Sequence, residues 1–115
     1  MKHIILGNGP AGVVAAETLR RAAPGDDILL VGNEDAPPYS RMAIPYLLEG
    51  NIDERGTYLR KADDHFAKLR IRQRRGRAVA VDTGKRTILF DDGHFEPYDR
   101  LLVATGSHPV RPPIP

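Results

Sequence analysis

Three glycines are the residues of this 115-residue sequence best suited to chemistry. Gly7, Gly9 and Gly12 stand in the stretch Ile4-Ile5-Leu6-Gly7-Asn8-Gly9-Pro10-Ala11-Gly12 with the spacing G-x-G-x-x-G. At a strand-to-helix junction that spacing suits a dinucleotide. The first glycine permits a tight turn, the second lets backbone approach a pyrophosphate, and the third lets helix and strand pack closely. The helix N-terminus, with Pro10 and Ala11 in its first turn, offers unpaired N–H groups and a partial positive charge to phosphate. Glu34 lies about 20 residues beyond the glycines, where an acidic residue bonds ribose hydroxyls in such folds. Asp35 beside it is the second choice. Both also fit plain loop acids.

These residues need elements to hold them. Lys2 to Leu6 is a nearly continuous apolar run, as expected of a strand buried on both faces of a parallel sheet. Helix formers follow from Ala11 to Ala23, with Val13, Val14, Leu19 and the alanines expected inward and Glu17, Arg20 and Arg21 facing water. Pro24-Gly25-Asp26-Asp27 ends that helix, and Ile28 to Val31 reads as a second buried strand. The result is a βαβ unit, right-handed by the general rule.

Farther on, Ala36-Pro37-Pro38-Tyr39-Ser40-Arg41 is a proline-stiffened connection. Met42 to Glu49 has a helical character interrupted by Pro45, and Lys61 to Leu69 reads as a short helix with Ala62, Phe66 and Leu69 toward the core. Lys68 to Arg77 holds six basic residues, and Arg70, Arg72 and Arg74 alternate with Leu69, Ile71 and Gln73 at the period of a strand with one wet face. Interleaved aromatics, which a nucleic-acid surface would add, do not occur there. Ala78 to Asp82 and Thr87 to Phe90, with turns at Thr83-Gly84-Lys85-Arg86 and Asp91-Asp92-Gly93-His94, suggest an antiparallel meander standing where a crossover helix would otherwise sit. Leu101 to Ala104 is a last buried strand, ending at Thr105-Gly106-Ser107-His108-Pro109. The expected fold class is α/β: a Rossmann-like domain with a βαβ start, a parallel sheet and a small antiparallel β-meander crossover.

Composition narrows the function. Hydrophobic residues make up 41% and charged residues 28%, which fits a globular chain, and the net charge of +2 is too small to argue for nucleic acid or an acidic membrane. There is no cysteine, so the sequence holds no disulfide, thiolate metal site or redox cysteine pair. No apolar run approaches the roughly 18–20 residues of a membrane span. No secretory signal is visible, and the cytoplasm is the default location. His3, His65, His94 and His108 lack ligand spacing, so no metal site is expected. Ser40 and Ser107 have no paired base.

Four pieces, in order and over the whole length, together resemble one family. They are Gly7-Asn8-Gly9-Pro10-Ala11-Gly12 with Ala16 and Glu17 following, then Glu34, then Pro38-Tyr39-Ser40-Arg41, then Leu102-Val103-Ala104-Thr105-Gly106-Ser107. The set is similar to the N-terminal, FAD-binding part of the FAD-dependent pyridine nucleotide-disulfide oxidoreductases, the reductases related to glutathione reductase. Ala104, Thr105 and Gly106 match that family's "ATG" motif, where the first FAD segment ends. The branch of ferredoxin and rubredoxin reductases, apoptosis-inducing factor and the flavin part of nitrite reductases carries a tyrosine–x–arginine like Tyr39 and Arg41. By that resemblance Arg41 would contact the FAD phosphates or ring edge. Many members have a lysine five residues after the arginine; this chain has Tyr46, so no function resting on that lysine is implied. A sister branch of coenzyme A disulfide reductases and NADH oxidases places a redox cysteine where Met42 stands. A thioether supplies no thiolate, and Met42 is left with packing near the isoalloxazine or ordinary core filling.

The resemblance implies hydride transfer from NAD(P)H to FAD and electron delivery to an acceptor, which for this branch includes acceptor proteins. It implies FAD contacts from Gly7, Gly9, Pro10, Ala11, Gly12, Glu34, Arg41, Ala104, Thr105 and Gly106, with no catalytic side chain of the chain's own. Family members are much longer and hold a second glycine motif for NAD(P) and a later Gly-Asp segment, neither of which occurs here. The expectation is therefore an FAD-binding first segment over residues 1–109 and the start of a linker over 110–115. Such a segment would hold FAD weakly and be inactive without an NAD(P) domain or a complementary chain. Two other readings stand beside it: an NAD-binding Rossmann domain of an ordinary dehydrogenase, and a non-catalytic truncated flavin-binding or interaction module. The Tyr39–Arg41 insertion, the meander and the Thr105-Gly106 ending weigh against the first.

Overall fold

Four parallel strands form the centre, in the order β3-β2-β1-β7. They are β1 (Lys2–Leu6), β2 (Asp27–Gly32), β3 (Ile71–Arg75) and β7 (Arg100–Val103). The computed structural model describes residues 1–108 and 110–114, so the expected domain boundary at Pro109 and the terminal Pro115 lie outside the described residues. Ile5 stands opposite Leu30 on one side and Leu102 on the other. Strand β3 then extends the sheet beyond β2, pairing Ile28 with Ile71 and Val31 with Arg74. This order is that of the first half of a doubly wound dinucleotide-binding sheet.

Alternation along the strands sends side chains to two cores. Ile5, Ile28, Leu30 and Ile71 meet Val13 and Ala16 of α1 (Pro10–Ala22), together with Phe66 of α3 (His65–Lys68). On the opposite face Ile4, Leu6, Leu29 and Val31 meet Ile88 and Phe90. The latter two belong to an antiparallel meander of β4 (Ala78–Asp82), β5 (Thr87–Phe90) and β6 (Phe95–Pro97), order β4-β5-β6. The meander does occupy the crossover between β3 and β7. The sheet is thus covered by helices on one side and by a second sheet on the other.

The connection from β2 to β3 contains a 3₁₀ turn at Arg41–Ala43, α2 (Ile44–Leu48), a second 3₁₀ turn at Glu54–Thr57, and α3. It is tied to itself by a bridge between Tyr39 and Tyr58. It is tied to α1 by Glu17, whose carboxylate accepts from Arg60 Nε at 2.7 Å and Nη2 at 2.6 Å and pairs with His65 Nε2 at 2.6 Å. Hydrogen bonding from Arg60, partly opposed by burial and reinforced by His65, lowers the Glu17 pKa to about 2.

Several expectations from the sequence change here. Arg20 does not face water: it is 8% exposed. Its guanidinium donates to the carbonyls of Leu69 (2.7 Å), Ala23 (3.3 Å), Pro24 (3.0 Å), Asp26 (2.7 Å) and Arg70 (2.9 Å). A planar group with five N–H donors can saturate carbonyls that the end of α1 and two loops would otherwise leave bare. Val14, expected inward, is 53% exposed, and the helix formed from Lys61 to Leu69 is only one turn long, with Ala62 exposed. Met42 is 86% exposed, which removes core filling as its role.

The basic strand is also not simply a wet face. Arg74 stacks its guanidinium over the Phe90 ring, 4.0 Å from the centroid, and Nη2 reaches Asp92 at 3.1 Å. Arg72 makes a two-pronged bond to Asp27, at 2.9 and 2.7 Å, and Arg70 donates to the Pro24 carbonyl at 2.7 Å. Arg70, Arg72, Arg75 and Arg77 nevertheless stay exposed, so the wet-face expectation holds for most of the run and Arg74 is the arginine drawn into packing.

Candidate nucleotide-binding site

The C-terminal ends of β1, β2 and β7 converge on one cleft of about 550 Å³. Its position follows from topology. Strand β1 is followed by a helix on one face, and β3 by the meander on the other, so a crevice opens between the two connections. The glycine turn forms its floor. Gly7 has φ +109°, and a Cβ there would stand 2.6 Å from the carbonyl carbon of Ala104. The Gly7 N–H donates to the Val31 carbonyl at 2.8 Å, and the Ala104 N–H donates to the Leu6 carbonyl at 2.7 Å. The first glycine therefore sits between the ends of β2 and β7, and only glycine combines that φ with that crowding.

Gly12 works behind the cleft. A Cβ there would lie 2.9 Å from the Gly7 carbonyl carbon, so this glycine lets α1 rest directly on the turn. Gly9 is different in kind: apart from its own residue and its two chain neighbours, no protein atom lies within 4 Å of where its Cβ would be. It is the N-cap of α1 and supplies no side-chain cap; Pro10 follows at the first helical position, and the first turn holds no acidic residue. The start of α1 thus presents backbone donors to open space. That is the arrangement in which a phosphate can replace the absent cap.

Of the residues singled out by sequence, Gly7, Gly9, Pro10, Ala11, Glu34, Arg41, Ala104, Thr105 and Gly106 all line this cleft. Of the FAD contacts that the resemblance implies, Gly12 alone does not line it, for the packing reason just given. Glu34 lines the cleft and Asp35 does not; Asp35 pairs instead with Arg75 at 3.6 Å. The Glu34 carboxylate accepts from the Tyr39 hydroxyl at 2.7 Å and from Arg41 Nη2 at 3.0 Å. Hydrogen bonding to Glu34, with burial adding to it, raises the Tyr39 pKa, so the phenol stays protonated and donating. The Glu34–Arg41 pair is solvent-exposed on both sides and contributes little to stability. Arg41 can turn toward an anion at small cost.

Two contributors, Gly32 and Arg77, escape a reading of the sequence, and a third, Tyr39, takes a role in the cleft that its motif does not state. Tyr39 enters the cleft as a partner of Glu34, although only its place in a motif had marked it. Gly32 ends β2, and a Cβ there would come within 2.5 Å of Asn8 Cγ, so the asparagine between the first two glycines packs on a fourth. A glycine closing a buried run just before the acidic residue was the available signal. Arg77 lines the cleft opposite the glycine turn and was hidden within the basic run. Among the described residues no group of three or more His, Asp or Glu side chains could hold a metal ion, and no helix is long and apolar enough to cross a membrane. His3, His65 and His94 are each paired with a carboxylate: Asp26, Glu17 and Glu96.

Comparisons with known proteins place the family and the fold. The family model described as pyridine nucleotide-disulphide oxidoreductase matches residues 1–115. The NAD(P)H nitrite reductase of Bacillus subtilis is 33% identical over 113 residues, covering 97% of this chain and 14% of that protein. The ferredoxin reductase component of chlorobenzene dioxygenase from Cupriavidus is 36% identical over 104 residues, covering 90% of this chain and 25% of its own length. Putidaredoxin reductase, in its covalent complex with putidaredoxin, superposes with a TM-score of 0.90 at 30% identity, covering 97% of this chain and 27% of that one. The chain therefore spans about a quarter or less of the length of these relatives.

Proposed function

The chain belongs to the pyridine nucleotide-disulphide oxidoreductase family, and on that premise we propose that its cleft holds the ADP half of FAD. The family binds FAD and NAD(P)H. In this reading residues 1–109 are the first FAD-binding segment of an NAD(P)H oxidoreductase that passes electrons to an acceptor protein, with 110–115 beginning a linker. When bound, FAD supplies the redox chemistry, taking hydride from NAD(P)H and passing electrons onward. This chain's own residues bind and orient. The N–H groups at the start of α1, open at Gly9, take the pyrophosphate; Glu34 accepts from the adenosine ribose hydroxyls; Arg41 adds positive charge at the rim. Ala104, Thr105 and Gly106 close the cleft from the β7 side.

The observation that carries this reading is the open space at Gly9 facing an uncapped helix start, with Glu34 across the same cleft. Names of similar proteins support the electron-transfer role: a nitrite reductase using NAD(P)H and ferredoxin reductase components. The test is the visible spectrum of the purified protein followed by titration with FAD. Flavin bands or saturable binding support the reading. Glu34→Ala and Arg41→Ala should each weaken binding by about tenfold, the scale of a hydrogen bond involving a charged group. A colourless chain that ignores FAD yet binds NADH would favour an NAD-binding domain of an ordinary dehydrogenase instead.

A further inference from the structure

Glu34 is exposed at the cleft rim and has a flexible side chain, so something must hold its carboxylate if it is to meet two hydroxyls of a ribose at once. We propose that Tyr39 is a positioning residue that fixes the Glu34 carboxylate for the ribose cis-diol; this rests on the ADP-half reading given above. Tyr39 donates its hydroxyl to Oε2 at 2.7 Å, while Arg41 donates to Oε1 at 3.0 Å. One donor on each oxygen leaves a further lone pair on each, and these are spaced for two adjacent O–H donors.

The two donors are not equally anchored. Tyr39 sits in a clamp: it bridges Tyr58, its neighbour Ser40 donates to the Thr57 carbonyl at 2.8 Å, and Leu59 donates to the Pro38 carbonyl at 2.9 Å. Thr57 is itself buried, and its hydroxyl bonds the Glu54 carbonyl at 2.6 Å. Arg41 stands on an exposed 3₁₀ turn with a long, mobile side chain. If Arg41 swings to phosphate when a nucleotide enters, the phenol alone keeps the carboxylate in place. A phenol has few rotatable bonds, so it loses little freedom in doing so.

A chemical cycle tests this. ADP and 2′-deoxy-ADP are titrated into the wild-type protein, Tyr39→Phe and Glu34→Ala, with thermal melting of each variant as the check on folding. Tyr39→Phe should weaken ADP binding about five-fold, a part of what a hydrogen bond to a charged group is worth because the hydroxyl acts on the ligand only through Glu34, while leaving 2′-deoxy-ADP nearly unaffected. A purely structural role for the hydroxyl would weaken both ligands equally, and that result overturns the proposal. So does unchanged ADP affinity in Tyr39→Phe when Glu34→Ala has lost it, an outcome that leaves the ribose role of Glu34 standing. Should Glu34→Ala bind ADP as well as the wild type does, the ADP-half reading itself fails and the role of Tyr39 falls with it.

Discussion

The backbone of Gly7 lies against the backbone of Ala104, with no space between them for a side chain. Residues nearly a hundred positions apart thus form one wall of the cleft, and the glycine turn and the Ala104-Thr105-Gly106 ending are two halves of one structural joint. Gly7→Ala should destabilise the fold by about 2–4 kcal/mol, because it adds both a clash and a φ that alanine avoids. Urea unfolding measures it. A loss under about 0.5 kcal/mol, the range of an inconsequential surface change, would show that the joint is slack.

Arg20 offers a test of the hidden arginine. Removing its side chain strands five carbonyls at the end of α1 and in two loops. Arg20→Ala is expected to cost about 3 kcal/mol, and Arg20→Lys to recover only part of it, since an ammonium cannot reach so many acceptors in a plane. Equal stability of the lysine variant and the wild type would mean that charge alone, not the guanidinium geometry, matters.

Acid stability should depend on Glu17. Its folded-state pKa of about 2 lies below the ordinary 4.5, so its contribution is present above pH 4.5 and is lost as pH falls toward 2. The shift corresponds to a contribution on the order of 3 kcal/mol. Glu17→Gln should therefore flatten the fall in stability across that interval, which denaturant unfolding at a series of pH values would reveal. An unaltered pH profile in the variant would remove Glu17 from the account.

Met42 should be dispensable to the fold. At 86% exposure it touches little, and Met42→Ala should change stability by less than about 0.5 kcal/mol. A thermal melt suffices; a loss of several degrees would return Met42 to the core.

Much of this was legible in the sequence. The apolar runs of β1 and β2, the glycine spacing between them and the punctuating Pro24-Gly25 define the βαβ unit, because each local signal agrees with the others. The meander was legible from its turns. What was not legible depends on partners remote in sequence. Arg20 looks solvent-facing until Leu69 and Arg70 bring their carbonyls to it, some fifty positions away. Arg74 looks wet until Phe90 slides beneath it. Val14 shows the reverse case: an apolar residue at an inward-looking helical phase stays half exposed. At the site, spacing located Glu34 and the glycines, but the tie from Tyr39 to Glu34 needed the Tyr39–Tyr58 bridge, which no local pattern announces.

The central claim is that the cleft receives the ADP half of FAD over Gly9. Titrating FAD, with NADH as competitor, into the wild-type protein and Gly9→Ala tests it most directly. Gly9 has an ordinary φ of −75° and free space around its Cβ position. The account predicts an unchanged melting temperature for Gly9→Ala, FAD binding at least about tenfold weaker as the new methyl meets the phosphates, and no displacement of FAD by NADH at equal concentration. FAD affinity equal in the two proteins, or NADH binding more tightly than FAD, would contradict it.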